Sequence, residues 1–270
     1  LLLAAGTGSR LFPLTQNDPK CLTMINGTSI LERMILNLRK HGFKRLVVVT
    51  GHLENRIREE LGDSRGNLKI EYIHSPKYKT TNNIYSLWMA RKYLNEPFVL
   101  LESDLVFDES LLGGMLYPDR IALDNFSPWM NGTCVTLTET GSVNAFISGN
   151  EKSPKGTSYK TVNIYSLSKA SWNAVSRRLD EVIAAGKVND YYETVFSDLL
   201  DEGTLSFQKV SFEGKPWYEI DTVEDLREAE KLFPSIRPDV SVKPEIPFPR
   251  HRLLNEVFTG VKAGNLRYGT

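Results

Sequence analysis

Cysteine is almost missing from this chain: Cys21 and Cys134 are the only two in 270 residues, and they lie far apart. That leaves no basis for a disulfide framework or a multi-cysteine zinc site, and a reducing, cytoplasmic setting is expected. Net charge is missing as well, because 33 Lys plus Arg balance 33 Asp plus Glu. Without a global field, neither nucleic acid nor an anionic membrane is an expected partner, and any anion must be held by a local site. No apolar run approaches the roughly 18 residues of a membrane span, so membrane insertion is not expected. No basic segment with a secretory cleavage pattern opens the chain either. Leu1 to Ala5 includes no Met, so residues upstream are expected. The four histidines, His41, His52, His74 and His251, form no metal or nucleophile motif with their neighbours.

What is present is enough to bury a substantial core: 41% of residues are hydrophobic and 10% aromatic. Leu1 to Ala5 reads as a short buried strand followed by a glycine-containing turn. Apolar positions at Ile30, Leu31, Met34, Ile35 and Leu38 predict a helix over 29–40 with one buried face. The β-branched run Arg45 to Thr50 predicts a strand, a helix begins near Leu53, and Lys69 to Ile73 is a further strand. A helix over Asn83 to Tyr93 precedes the apolar run Phe98 to Leu101, which ends in Glu102-Ser103-Asp104. Such alternation predicts an α/β, doubly wound, mostly parallel sheet, with active residues at the carboxyl ends of its strands.

From about Ile121 the pattern changes to period-two alternation. Cys134 to Leu137 and Thr161 to Tyr165 are expected strands, separated by the Gly/Ser/Lys/Pro-rich stretch 148–158. This reads as a mixed-strand elaboration over the substrate site. Helices are expected over Lys169 to Ala184, Tyr191 to Leu200 and Val223 to Leu232, with a strand over Leu205 to Phe212. The domain is expected to span 1–233. Pro234, Pro238, Pro244, Pro247 and Pro249 then defeat continuous helix or central strand, so 234–250 reads as a linker. Residues 251–270 are either a tail or the start of a second domain.

The chemistry gathers near the start. Gly6 and Gly8 allow backbone conformations and close approach that a Cβ would obstruct, letting several N–H groups converge on phosphate oxygens. Arg10 adds a planar charged fork and Lys20, after Pro19, a flexible point charge. The loop has neither the full Gly-x-Gly-x-x-Gly fingerprint nor a Gly-Lys-Ser/Thr ending, which argues against dinucleotide binding and simple ATPase chemistry.

The run Leu3-Ala4-Ala5-Gly6-Thr7-Gly8-Ser9-Arg10-Leu11-Phe12-Pro13-Leu14-Thr15, with Pro19-Lys20-Cys21-Leu22, resembles the signature of the sugar-1-phosphate nucleotidyltransferase superfamily. The resemblance implies that Ala4, Ala5, Gly6, Gly8, Ser9, Arg10, Lys20, Asn83 and Ser86 bind a nucleotide. It also implies that Asp104 and Asp221 hold Mg²⁺, and that Arg10, Lys20 and both aspartates carry catalysis. Asp221-Thr222-Val223-Glu224 reads equally as a helix start with an acidic first turn.

Asn83-Ile84-Tyr85-Ser86-Leu87 and Trp217-Tyr218-Glu219-Ile220-Asp221 resemble segments of phosphocholine cytidylyltransferases and their phosphonate-pathway relatives. This favours CTP as nucleotide and a small aminoalkyl phosphate or phosphonate as acceptor. For the cationic tail of such an acceptor the sequence offers Asp124, Trp129, Trp217, Tyr218 and Glu219, and for its anionic end Lys160. The expected reaction is CMP transfer to 2-aminoethylphosphonate. Phosphocholine, a sugar phosphate, and a nucleotide-sensing module without turnover remain as alternatives. Some relatives are fused to a pyridoxal-phosphate-dependent enzyme, which the linker resembles, and a homodimer is left open.

Overall fold

The computed structural model describes residues 1–127, 130–147 and 158–236. Trp129, most of the linker and the tail 251–270 lie outside them. The first strand, β1 (Leu2–Ala4), sits in the middle of the main sheet. It runs parallel to β2 (Arg45–Thr50) on one side and β4 (Phe98–Glu102) on the other, and β2 pairs in parallel with β3 (Leu68–His74). Side chains alternate across β1: Leu1 and Leu3 enter one hydrophobic cluster, Leu2 and Ala4 the other. Burial on both faces is why this strand reads as an unbroken apolar run.

Helix α1 (Ile30–Lys40) buries the expected stripe, and Ser29 is its N-cap, accepting a hydrogen bond from the Glu32 N–H at 3.1 Å. Helix α2 spans Glu54–Leu61 and α3 Asn83–Ala90, so α3 stops three residues short of the periodicity-based end at Tyr93. Its last turn is replaced by turns whose N–H groups bond at i−3: Arg91 to Trp88 and Tyr93 to Ala90. Asn82 caps its start by accepting from the Asn83 N–H at 2.8 Å.

The second half supplies the mixed strands. After β5 (Leu105–Phe107) come β6 (Arg120–Asn125), β7 (Cys134–Leu137), β8 (Val143–Ile147) and β9 (Tyr159–Leu167). The sheet continues from β1 through β4 to β9, β7 and β8, and β9 lies antiparallel to β4, β6 and β7. Helices α4 (Lys169–Ala184) and α5 (Glu193–Asp201) follow, and then β10 (Gln208–Ser211), parallel to β6. The strand expected over Leu205 to Phe212 is thus shorter, because Leu205 and Phe207 turn into the core below the sheet.

Period-two alternation did not reveal β5 as a partner of β11 (Trp217–Glu219). The two form a separate antiparallel ladder in which Leu105 faces Glu219, and the Ile220 N–H donates to Asp104 O at 2.9 Å. This short ladder joins residue 104 to residue 221. Helix α6 (Val223–Leu232) then starts at Thr222, whose side chain and that of Asp225 form a reciprocal capping box. Residues Leu1–Ile236 make one compact unit.

Candidate active site

The carboxyl ends of β1 and β4, the loop after β1, and parts of β9, α5 and β11 enclose a cavity of about 680 Å³. Gly8 has φ 62°, in the left-handed region, and a Cβ there would stand 3.0 Å from both Lys20 Cβ and Thr15 Cγ2. Glycine therefore lets the loop fold onto the Lys20 segment, and the Thr15 hydroxyl pins it by donating to Gly8 O at 2.9 Å. A Cβ on Gly6 would meet no atom within 4 Å, because that residue borders the open cavity. Ala4, Ala5, Ser9, Arg10, Lys20, Asn83, Ser86, Asp104, Lys160, Glu219 and Asp221 line the same cavity.

Its centre is a charge cluster. Lys20 Nζ lies 2.8 Å from Asp104 Oδ2 and 2.6 Å from Asp221 Oδ1, and Arg10 Nη2 lies 2.8 Å from the same Asp221 oxygen. Burial alone would lower the Lys20 pKa, but the attraction of Asp104 and Asp221 outweighs it and raises the value, so the lysine is charged. Asp104, Glu219 and Asp221 each bring one oxygen within 4.8 Å of the others. Asp104 Oδ1 is buried with no hydrogen-bond partner. A carboxylate oxygen left bare beside two further carboxylates suits a hard divalent cation such as Mg²⁺. Capping of α6 does not consume Asp221, since Thr222 and Asp225 do that work.

Further carboxylates line the cavity, and two of them, Glu102 and Glu193, were not among the residues to which the sequence motifs pointed. Glu102, two residues before Asp104, accepts from Tyr192 Oη at 2.8 Å and Asn83 Nδ2 at 3.2 Å. Asn83 also accepts from the Tyr192 N–H at 3.1 Å through its Oδ1, so it braces this wall while itself lining the cavity. Glu193, the first residue of α5, is 7% exposed and its Oε2 has no partner. Burial pushes the Glu193 carboxyl up to about 7, and burial together with Asp104 pushes Glu219 up to about 7. Glu102 is raised well above the carboxylate range by burial, then by Asp104. Lys160, 2% exposed, donates to Thr161 O at 2.6 Å and lies 3.8 Å from Glu219 Oε2.

The remaining residues expected at the acceptor fall elsewhere. Asp124 is occupied by the Trp217 indole N–H at 2.6 Å and by the Asn125 N–H at 2.7 Å. Trp217 packs into a core cluster, and Tyr218 packs against Val106 and Ile220 in another. None of these three lines the cavity. Strand alternation separates Tyr218 from Glu219, whereas Trp217 shares the face of Glu219 but sits at the other end of β11, in the core, and only Glu219 reaches the cavity. Trp129 lies outside the described residues.

Comparison with known proteins places this geometry. A family model described as nucleotidyl transferase matches residues 1–116. The chain is 30% identical over 243 residues to a CMP-5'-(3-aminopropyl)phosphonate synthase of Streptomyces rubellomurinus, covering 86% of this chain and 38% of that protein. It is 26% identical over 247 residues to a choline-phosphate cytidylyltransferase of Streptococcus pneumoniae, covering 86% of this chain and 97% of that one. Residues 1–116 thus match the nucleotidyl transferase family, and over most of its length the chain is similar to cytidylyltransferases of choline phosphate and of a phosphonate.

Solved nucleotidyltransferases share the fold. The CTP:phosphocholine cytidylyltransferase of Streptococcus pneumoniae superposes with a TM-score of 0.74 at 23% identity, covering 85% of this chain and 96% of that one. The inositol-1-phosphate CTP transferase of T. maritima gives a TM-score of 0.67 at 19% identity, covering 87% of this chain and 96% of that one. Glu102 and Glu193 carried no motif. The one sequence-level signal for Glu102 was its place at a strand's carboxyl end, two residues before an aspartate.

Proposed function

We propose that this chain transfers CMP from CTP to a small aminoalkyl phosphonate, with 2-aminoethylphosphonate the best-fitting acceptor, and releases pyrophosphate. The observation that carries the proposal is Glu193. A buried carboxylate with a bare oxygen lines the same cavity as a phosphate-binding loop, so the ligand that completes it has a cationic end opposite a phosphate. The relatives named for choline and aminopropylphosphonate chemistry support this reading, as does the supply of carboxylates at that end.

The nucleotide occupies the glycine loop, where backbone N–H groups, Arg10 and Lys20 face the triphosphate. Lys20 exchanges its carboxylate partners for phosphate oxygens, and Arg10 contributes its planar fork. Asp104 and Asp221, with Glu219 beside them, would hold Mg²⁺. The ion would shield the negative charge that accumulates when an anionic oxygen approaches the α-phosphorus. The acceptor oxygen is already anionic, so no side chain has to remove its proton, and catalysis rests on alignment and charge neutralisation. Lys160 meets the phosphonate while Glu193 and Glu219 meet the ammonium. A fused pyridoxal-phosphate-dependent partner domain belongs to the same proposal, since the chain spans 38% of the aminopropylphosphonate synthase.

The test is a pyrophosphate-release panel. CTP, UTP, ATP and GTP are each offered with 2-aminoethylphosphonate, phosphoethanolamine, phosphocholine and a sugar 1-phosphate, with and without Mg²⁺. CTP with 2-aminoethylphosphonate should give the highest kcat/KM, and omission of Mg²⁺ should abolish it. A preference for phosphocholine rejects the phosphonate, and a preference for another nucleotide rejects cytidylyl transfer.

A further inference from the structure

The superfamily resemblance assigns Asn83 to the nucleotide, yet its side chain is committed to another part of the wall. Asn83 is the first residue of α3, and its amide faces Glu102 at the end of β4 and Tyr192 at the start of α5. These partners fix which way the amide points. A backbone N–H only donates, so the atom 3.1 Å from the Tyr192 N–H is the amide oxygen. The nitrogen is then the atom 3.2 Å from Glu102 Oε1, and it donates to that carboxyl.

The bond to Tyr192 serves as a helix cap. A helix leaves its first N–H groups without partners inside the helix, and the residue that opens α5 caps none of them with its own side chain. Asn83 takes that place from 109 positions away in the chain. Beside it, Asn82 holds the segment leading into α5: its N–H donates to Val188 O at 2.9 Å and its Nδ2 to Asn189 O at 3.3 Å. The residue that follows Tyr192 is Glu193, whose Oε2 is bare. Tyr192 adds a second constraint, because its hydroxyl donates to the same Glu102 oxygen at 2.8 Å while its ring is buried against Tyr165 and Phe196. One amide thus sets two carboxylates, Glu102 directly and Glu193 through the backbone next to it.

We infer that Asn83 is a positioning residue for the acceptor, holding Glu193 and Glu102 in place, and not a reader of the nucleotide. This rests on the aminoalkyl reading of the cavity and deepens it. A carboxylate that binds an ammonium must stand at hydrogen-bond distance, and a shift of about 1 Å is enough to lose such a contact. The contacts assigned to the triphosphate come from the glycine loop, Arg10 and Lys20, and none of them passes through Asn83. Loosening the amide should therefore weaken the acceptor and spare CTP.

The experiment measures the CTP Kd by titration calorimetry and the acceptor KM by pyrophosphate release with 2-aminoethylphosphonate and Mg²⁺. The proteins are wild type, Asn83→Ala, Tyr192→Phe, Glu193→Gln and the Asn83→Ala/Glu193→Gln double variant. Alanine suits a helix and leaves Asn82 its bond from the N–H of residue 83, so α3 keeps its start. Asn83→Ala should raise the acceptor KM about tenfold and leave the CTP Kd within about twofold. Tyr192 does not line the cavity, so Tyr192→Phe removes only the hydroxyl that steadies Glu102, and the acceptor KM should rise about threefold. If Asn83→Ala loses its cooperative melt, the phenylalanine variant decides. In the double variant Asn83→Ala should add much less than it does alone, because both changes act on one contact. A merely structural loss would instead lower both affinities together and add in full to Glu193→Gln, and either result overturns the inference. So does an unchanged acceptor KM in folded variants, and a weakened CTP Kd beside it returns the amide to the nucleotide. Refusal of every aminoalkyl acceptor by the wild type shows instead that the functional reading itself is wrong.

Discussion

Around the glycine loop the cavity is walled by one contiguous stretch, Leu3 to Arg10, with Pro19 to Cys21 close behind, whereas the part proposed for the acceptor is assembled from Glu102, Lys160, Asn163, Glu193 and Glu219 on β4, β9, α5 and β11. The first part offers backbone N–H groups and permanent cations and keeps Arg10 two-thirds exposed, at 66%. The second presents carboxylates, of which Glu193 is 7% exposed and the Glu219 side chain 25%. A phosphate can be recognised by a local loop because N–H groups of successive residues converge on it. An ammonium of small size has to be recognised by acceptors from several directions, and no single segment supplies those. Substitutions at the two ends should therefore fail in different ways.

The largest effect is expected at the phosphate end. Lys20→Ala removes the cation that joins Asp104 and Asp221 and that would meet the triphosphate. Loss of one such contact is worth about 2 to 4 kcal/mol, or roughly 30- to 1,000-fold in turnover. Steady-state kinetics on a folded variant checks this, and unchanged kcat/KM would remove Lys20 from the site. Arg10→Lys should also lower turnover, because charge survives but the fork does not.

At the acceptor end Glu193→Gln should raise the acceptor KM by about tenfold or more, while KM for CTP moves little. The same variant sharpens the comparison through stability. The native Glu193 carboxyl titrates at about 7 against an ordinary 4.5, because burial disfavours its charge. Between those pH values the native state holds a proton that the unfolded state has released, so stability declines as pH rises through the window. Glutamine removes that cost. Its gain in melting stability should be small at pH 5 and larger at pH 8, up to about 3 kcal/mol. An equal gain at both pH values would mean that the carboxyl is not held neutral by the fold. A gain in stability with a loss in acceptor affinity is the trade expected of a buried binding group.

The smallest effect separates a core residue from a site residue. Trp217→Phe keeps an aromatic ring in the core but deprives Asp124 of its indole donor. It should cost about 1 kcal/mol of stability by denaturant titration and leave both KM values in place. A selective rise in acceptor KM would return Trp217 to the acceptor wall.

The strand-helix alternation of the first half, the apolar stripe of α1 and the glycine loop with its two cations were determined by the sequence itself. Each depends on residues within a few positions of one another, where periodicity and backbone conformation dominate. The Lys169–Ala184 and Val223–Leu232 helices were legible for the same reason. Tertiary structure alone decided the rest. The β5–β11 ladder brings Asp104 to Asp221, and Thr222 and Asp225 relieve Asp221 of capping. Glu219 and Tyr218 differ in place because neighbouring strand residues face opposite ways. Glu193 is a polar helix-start residue by sequence, and only the packing of α5 against β9 buries it and leaves its oxygen bare. Burial and long-range pairing are properties of the assembled core, and a carboxylate's chemistry follows its surroundings more than its neighbours in the chain.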